Sequence, residues 1–408
     1  MNSSLLVLTG EWPDKHSVHY DNNFWPLMQE LSAKVDITLA IASSSRHKRI
    51  LDQSTYQWCK NVFVLPEAEQ GPSAWWFQRQ PQTTSVWHAA LFDWIYREIM
   101  THSIEYVLIT SPLFLPYVNK LPKTVKLITY FEKTTSRPVE SIVKPLAWYH
   151  RYQAKAHMAW EERALNRAHW GIFPKQTPKD YLQWVHSLGC RLHLLADGVD
   201  GHYFDPSHLY PNPFSGPGPV ILMQLENSPV ESYAGMVAFI THVLPHVQQK
   251  ISPLHVCILS PVGHPMLPIL KKIDKLSLIV GVEDTRPYFS HAQVLVWPVE
   301  AHIQEVPEHR SVLHALAMCL PVAASRSINT ELSHPVAHEA HQPDTPEQWV
   351  DLLTELLSTA PDRQRLAHAR AIVLHHYSWP VLAQPMIQQL SGSTSEADKK
   401  PIAPYFSE

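Results

Sequence analysis

Short β-branched runs recur along this chain, and longer amphipathic stretches separate most of them. That alternation confines the fold to βα repeats around parallel sheets, because parallel neighbours need a crossover that a helix usually supplies. The first series of expected strands is Leu5–Thr9, Val35–Ile41, Val62–Leu65, Tyr106–Thr110, Val125–Tyr130, Trp170–Phe173 and Leu192–Leu195. Helical patterns fall between them at Asn22–Leu31, Thr84–Thr101, Ser141–Arg167 and Lys179–Leu188, and the Pro- and Gln-rich segment Pro66–Thr83 reads as a loop insertion. A second series follows the Pro/Gly/Ser cluster Pro211–Pro219, with strands at Val220–Met223, His255–Leu259, Leu276–Val280, Val294–Trp297 and Val322–Ala324. Its helices are expected at Tyr233–Gln249, Met266–Lys275, Arg286–His291 and Ser311–Cys319, and three more close the chain at Pro346–Leu357, Asp362–Leu374 and Pro380–Leu390. The expected architecture is therefore α/β, with two Rossmann-like domains joined near Ala196–Pro219 and ligands at the carboxyl ends of the strands, in the cleft between the domains.

Length and composition support this. A chain of 408 residues suits two to three domains of about 100–200 residues each. Hydrophobic residues at 45% and charged residues at 17% allow a large core. The net charge of −4 offers no basic footprint for nucleic acid. No apolar run is long enough to cross a bilayer, and the N-terminus lacks the basic flank and apolar core of a signal peptide. The four cysteines stand far apart without a CxxC pair, which argues against a zinc site or a disulfide framework and for a reducing cytoplasm. The 26 histidines are scattered, and the adjacent His375 and His376 would point in different directions on a helix, so no metal is expected.

Glycine is scarce at 12 residues while proline is abundant at 35. Scarce glycine argues against glycine-rich phosphate cradles, where backbone must approach pyrophosphate closely. The first strand runs into Thr9-Gly10-Glu11-Trp12-Pro13, with no GxGxxG and a proline in the turn. A dinucleotide-dependent dehydrogenase is a poor reading for that reason.

Several segments, in order, resemble glycosyltransferase family 4, in particular the bacterial sugar transferases of exopolysaccharide clusters. Pro13, Asp14 and Lys15 after the first strand match the Pro-Asp-Lys motif of those enzymes. LLADGVDGHYFDP (Leu194–Pro206) is similar to the family's interdomain segment, with Asp197 in place of the usual Asn. VILMQLENSPVESYAGMVAFITHVLPHV resembles the strand and helix that open the nucleotide domain, and DTRPYFSHAQVLVWP the segment before the donor loop. HHYSW (His375–Trp379) matches the aromatic motif that begins the last helix.

The resemblance implies a GT-B fold. Residues 1–200 would form an N-terminal Rossmann-like acceptor domain and 201–375 a nucleotide-sugar domain, with a helix at 376–392 crossing back and a flexible tail at 393–408. It also implies a cytoplasmic hexosyltransferase of retaining type, taking a nucleotide-diphosphate sugar as co-substrate without another cofactor or a metal. Its acceptor would be a saccharide or a lipid-linked saccharide in surface polysaccharide assembly. Retaining relatives carry two glutamates flanking the bound sugar and ribose. The second falls on His314, and Glu305 and Glu308 lie close to the first in a loop that is longer here. His314 is thus either a neutral hydrogen-bonding substitute or a histidine of a half-buried helix, and Glu305 and Glu308 are either sugar contacts or solvated loop carboxylates.

For the diphosphate, a cation is expected because Arg and Lys suit transferring phosphates. Gln224-Leu225-Glu226 and Ser260-Pro261-Val262, after the first two strands of the second series, contain none. At the start of the donor helix Arg310 is either a phosphate contact or a surface arginine, with Ser311 beside it as a further donor contact, and Lys15 of the first loop is either a phosphate contact or a turn residue. Arg286 more naturally caps its own short helix. Asp14 is an acceptor-side or turn residue, and Glu132, just past the fifth strand, is a candidate catalytic or acceptor contact. Asp197 and Gly198 read as a structural turn. Lys144, Arg151 and Lys155, interleaved with aromatics, leave open either a peripheral membrane contact or an ordinary core-facing helix. The missing cations keep a second class in play: a catalytically inactive relative acting as scaffold or partner subunit in a glycosyltransferase complex.

Overall fold

A computed structural model of the chain describes residues 3–10, 23–41, 58–64, 89–130, 159, 161–174, 179–226, 233–273, 275–298 and 309–391. The chain separates into two compact units. One comprises Met1–Lys15, Asn23–Ala196 and Ala383–Glu408; the other comprises His16–Asn22 and Asp197–Leu382.

The first unit is built on seven strands: β1 (Ser3–Thr9), β2 (Val35–Ile41), β3 (Asn61–Val64), β4 (Tyr106–Ile109), β5 (Lys126–Tyr130), β6 (Trp170–Pro174) and β7 (Arg191–Leu195). They lie in the order β3-β2-β1-β4-β5-β6-β7, and every pair is parallel. β1 is central, with Leu5 beside Ile37 on one side and Tyr106 on the other. Leu5–Leu8 are fully buried, as a continuous apolar run in a sheet covered on both faces should be. The helix Ala89–Thr101 follows the 3.6-residue period, placing Leu91, Ile95 and Ile99 in one core with Leu6, Leu8, Val107, Ile109 and Phe173.

The second unit holds five parallel strands: β8 (Val220–Gln224), β9 (His255–Ser260), β10 (Leu276–Val280), β11 (Val294–Trp297) and β12 (Val322–Ala324), in the order β10-β9-β8-β11-β12. Ile221, Met223, Val256, Ile258, Val294 and Val296 bury one face against Met236, Phe239, Ile240, Leu244 and Val247 of the next helix and against Trp349 and Leu353.

Every strand expected from the sequence is present with ends shifted by at most about two residues, a margin assignment methods themselves show. The helices depart more, and proline is the usual reason. The helix expected over Tyr233–Gln249 is α-helical at Ala234–Ala238, widens to a π-turn at Phe239–Val243 and resumes at Leu244–Lys250. Pro245 has no N–H for the α ladder and its ring crowds the preceding turn. The helix expected over Met266–Lys275 is reduced to Leu267–Leu270, which has a proline in its first turn. A 3₁₀ segment at Pro112–Lys120 and short helices at Ile328–Glu331 and His334–Ala337 were not expected; each is too short or proline-broken to show a helical period. Within Ser141–Arg167, helix is described only over its last residues. Pro66–Thr83 and Lys144–Lys155 lie outside the described residues.

Candidate functional site

In both sheets the strand order reverses beside the first strand, between β1 and β4 and between β8 and β11. Open parallel sheets bind ligands at such a switch point, beyond the strand carboxyl ends. In the second unit, β8 ends there at Gln224 and continues into Leu225 and Glu226, and the helix after β11 begins at Arg310. This helix, Arg310–Ala317, is buried along its whole length, where the sequence suggested a half-buried one. It packs on the Arg363–Tyr377 helix as well as on β11 and β12.

Its carboxyl end is closed by two hydrogen bonds, Leu320 N–H to Ala315 O (2.8 Å) and Cys319 N–H to Leu316 O (3.1 Å), with Cys319 in the left-handed region at φ 56°. That is a Schellman closure with a cysteine where glycine is usual. Arg370 adds a cation at the same end. It donates through Nη1 to Ala317 O and Phe204 O and through Nη2 to Gly201 O (2.7 Å).

The amino end gathers several charged and polar side chains. Arg310 Nε donates to Asp197 Oδ1 at 3.0 Å, both side chains being buried, and His309 Nε2 lies 3.9 Å from Asp197 Oδ2. One residue on, Ser311 N–H donates to Glu226 Oε1 at 2.8 Å. Glu226 is itself bracketed through its backbone. Tyr233 Oη accepts from Glu226 N–H and donates to Glu226 O, each at 2.7 Å. His264 Nε2 lies 3.0 Å from the same carbonyl. Because His264 Nδ1 accepts from Met266 N–H (3.1 Å), the ring proton sits on Nε2 and is donated to Glu226 O. Burial holds this imidazole below the usual histidine range, partly offset by that hydrogen bond. Among the described residues, Ser311 Oγ and Gln224 Oε1 are buried without a hydrogen-bond partner.

His314, one turn on, stacks flat on Phe204 (centroids 4.0 Å, 15° between planes), with Phe289 edge-on at 6.2 Å. Burial, and then the Arg310 charge, push its pKa down to about 3, against a smaller opposing effect of Asp197. It is therefore a neutral ring held by aromatic packing.

The structure thus brings Arg310, Ser311 and His314 together on one helix. Asp14, Lys15, Glu132, Glu305 and Glu308 lie outside the described residues. Arg286 is committed to Asp284 by a two-pronged pair (Nε–Oδ1 and Nη2–Oδ2, both 2.8 Å) and stacks on Tyr203 at 3.7 Å. The turn at Asp197 is a turn with a task. Gly198 lies under the Trp379 ring, where an added Cβ would come within 2.5 Å, and Val199 N–H donates to Tyr377 O (2.8 Å). The aromatic HHYSW motif therefore fixes the segment that carries Asp197.

Sequence reading took Asp197 as part of a structural turn and noted Glu226 only in a segment without a cation; the structure places both carboxylates at the start of the Arg310–Ala317 helix. A signal was there: an aspartate where the resembled family has asparagine, and a glutamate where a cation was sought.

No family model matches the chain, and no curated protein matches it significantly in sequence. Solved structures do match in fold. Sucrose-phosphate synthase from Thermosynechococcus elongatus aligns over 96% of this chain and 100% of its own, with TM-score 0.59 and 12% identity. A glycosyltransferase from Rickettsia africae aligns over the same shares with TM-score 0.57 and 12% identity. HepE from Anabaena, in complex with UDP and glucose, aligns over 96% and 100% with TM-score 0.55 and 11% identity. With its two parallel sheets each reversing beside the first strand, the chain has the fold of the GT-B glycosyltransferases.

Proposed function

We propose that this protein is a glycosyltransferase that moves a sugar from a nucleotide-diphosphate sugar to a saccharide or lipid-linked acceptor. The observation that carries the reading is the end-to-end fold match to glycosyltransferases, one of them holding UDP and glucose. The second unit's switch point, where a nucleotide would lie, supports it through a buried arginine and the amino end of an eight-residue helix.

In the reaction, the bond between the anomeric carbon and the diphosphate oxygen breaks. The acceptor hydroxyl oxygen bonds that carbon and releases its proton, and the nucleoside diphosphate departs with the electron pair. Arg310, Lys15 and the helix amides at Ser311 are proposed to stabilise the departing charge. Glu305 and Glu308 are proposed on the sugar side of the loop. Asp14 and Glu132 are proposed on the acceptor side, Glu132 as the carboxylate nearest the reacting hydroxyl. His314 is assigned hydrogen bonding and no proton transfer, since burial keeps it neutral across the physiological range. A surface-polysaccharide role and cytoplasmic action, peripheral to the membrane, rest on the family resemblance. Among the described residues, no helix is long and apolar enough to cross a membrane.

Incubation with UDP- and GDP-sugars tests this directly. Donor hydrolysis or transfer is expected, with loss of activity in Arg310→Ala. Absence of turnover, together with no melting shift at millimolar nucleotide, would sink the reading. A catalytically inactive scaffold is the second reading, favoured by one observation: protein carboxylates already contact both Arg310 and the Ser311 amide. Co-purification with an intact glycosyltransferase, without donor turnover, would select it.

A further inference from the structure

The amino end of the Arg310–Ala317 helix has the features of an anion seat. Its first-turn amides face the switch point, an arginine begins it, and the Ser311 hydroxyl is buried without a partner among the described residues. Yet a side-chain carboxylate already bonds that turn at the 311 amide, from 85 residues away in sequence. A second carboxylate, Asp197, holds the arginine from 113 residues away.

Glu226 is not there by accident of a loose side chain. Tyr233 closes both of its backbone polar groups, and His264 adds a third hydrogen bond to its carbonyl. The residue is 2% exposed, in a place where a carboxylate costs several kcal/mol to bury unless its charge is met. An amide at a helix start meets it, as it would meet a phosphate oxygen.

We propose that Glu226 is a built-in competitor for the anionic end of the nucleotide sugar. Its carboxylate occupies the amide that a diphosphate oxygen would take, so nucleotide binding must displace or neutralise it. The Tyr233–His264 bracket sets how firmly it stays. This rests on the proposed donor site and adds to it a reason for weak affinity in the resting protein. Asp197 has a different part: it orients Arg310 and keeps the guanidinium at the seat.

The test is nucleotide affinity of the full chain, measured by calorimetry with UDP and GDP. Glu226→Gln keeps an acceptor oxygen for Ser311 N–H and removes only the charge. Affinity for the diphosphates should rise by roughly tenfold or more, because a buried like charge is gone. Uridine, which lacks phosphate, should show no gain, so a general loosening of the site is excluded. Tyr233→Phe retains the carboxylate but opens its bracket, and a smaller gain in the same direction is expected; it carries the test if Glu226→Gln does not fold. If the wild type binds UDP or GDP and neither variant binds more tightly, Glu226 is not a competitor and the donor-site reading stands. If the wild type and both folded variants bind no nucleotide at millimolar concentration, the competitor proposal and the donor-site reading fall together.

Discussion

Two helices of the second unit begin under a carboxylate, and they do so in opposite ways. The Arg363–Tyr377 helix is capped by its own N-cap residue: Asp362 Oδ1 accepts from Gln364 N–H (3.0 Å) and Arg365 N–H (3.1 Å) in an exposed turn. The Arg310–Ala317 helix has no side-chain cap at its N-cap, His309, and takes Glu226 from a distant strand end instead. The first arrangement is local and solvated, so it concerns the stability of one helix end. The second is remote and buried, so it ties the helix to the sheet and places negative charge where the strand order reverses. Separation along the chain distinguishes a local cap from a contact that joins two segments.

The largest expected effect breaks the buried end. Asp197→Ala or Arg310→Ala removes one partner of a buried ion pair and should cost about 3–5 kcal/mol of unfolding free energy. Replacing both by apolar residues of similar volume should cost much less than the sum. Urea titration of the three variants checks this. Near-additive losses would show that the pair is not the coupled unit its 3.0 Å geometry implies.

These contacts also show what a sequence can and cannot disclose. Both sheets were legible because a strand buried on two faces must be continuously apolar, and β1, β8 and β11 are. The start of the Arg363–Tyr377 helix was legible because Asp362 acts within three residues of itself. Arg310 and Ser311 stood out as candidates because a helix start after a strand is a recurrent place for phosphate. Their partners were not found. Asp197 acts across 113 residues and Glu226 across 85, and no periodicity encodes contacts of that separation. His314 was seen as the place where a carboxylate was missing. The aromatic ring stacked on it, Phe204, belongs to another segment and could not be paired with it from spacing alone.

A second effect belongs to the same helix and depends on pH. His314 titrates near 3 when folded, against about 6.5 when unfolded. Below pH 6.5 the unfolded chain therefore binds the extra proton, and stability falls as pH falls, by about 1.4 kcal/mol per unit for one such group. The fall continues toward pH 3, and above pH 6.5 the contribution is flat. His264, His193 and His341 are lowered by burial too, so the informative quantity is a difference. His314→Phe keeps the stack on Phe204 and should flatten the acid limb by about one proton's worth. Equal slopes in wild type and variant between pH 6.5 and 5 would contradict the neutral, buried assignment.

The exposed cap should respond on a smaller scale. Asp362→Ala is expected to cost about 1 kcal/mol, with no change in nucleotide affinity. Setting it beside Glu226→Gln sharpens the contrast: one carboxylate is felt mainly in melting, the other mainly in binding. A melting loss for Asp362→Ala as large as that of Asp197→Ala would mean that burial does not separate the two ends.

The smallest effect lies at the other end of the Arg310–Ala317 helix and has the opposite sign. Cys319 sits at φ 56°, a conformation that costs an L side chain roughly 1–2 kcal/mol. Glycine adopts it freely but loses about 0.4–1 kcal/mol more in unfolded-chain entropy. The closing hydrogen bonds from Cys319 and Leu320 are backbone and survive the change, and the thiol is only half-buried. Burial raises that thiol's pKa, so it stays protonated and gains nothing from the nearby Arg370 charge. Cys319→Gly should therefore stabilise the chain by roughly 0.5–1 kcal/mol. Calorimetric melting would show it as a small rise. A drop instead would mean that the cysteine side chain packs well enough at the helix end to outweigh its backbone strain.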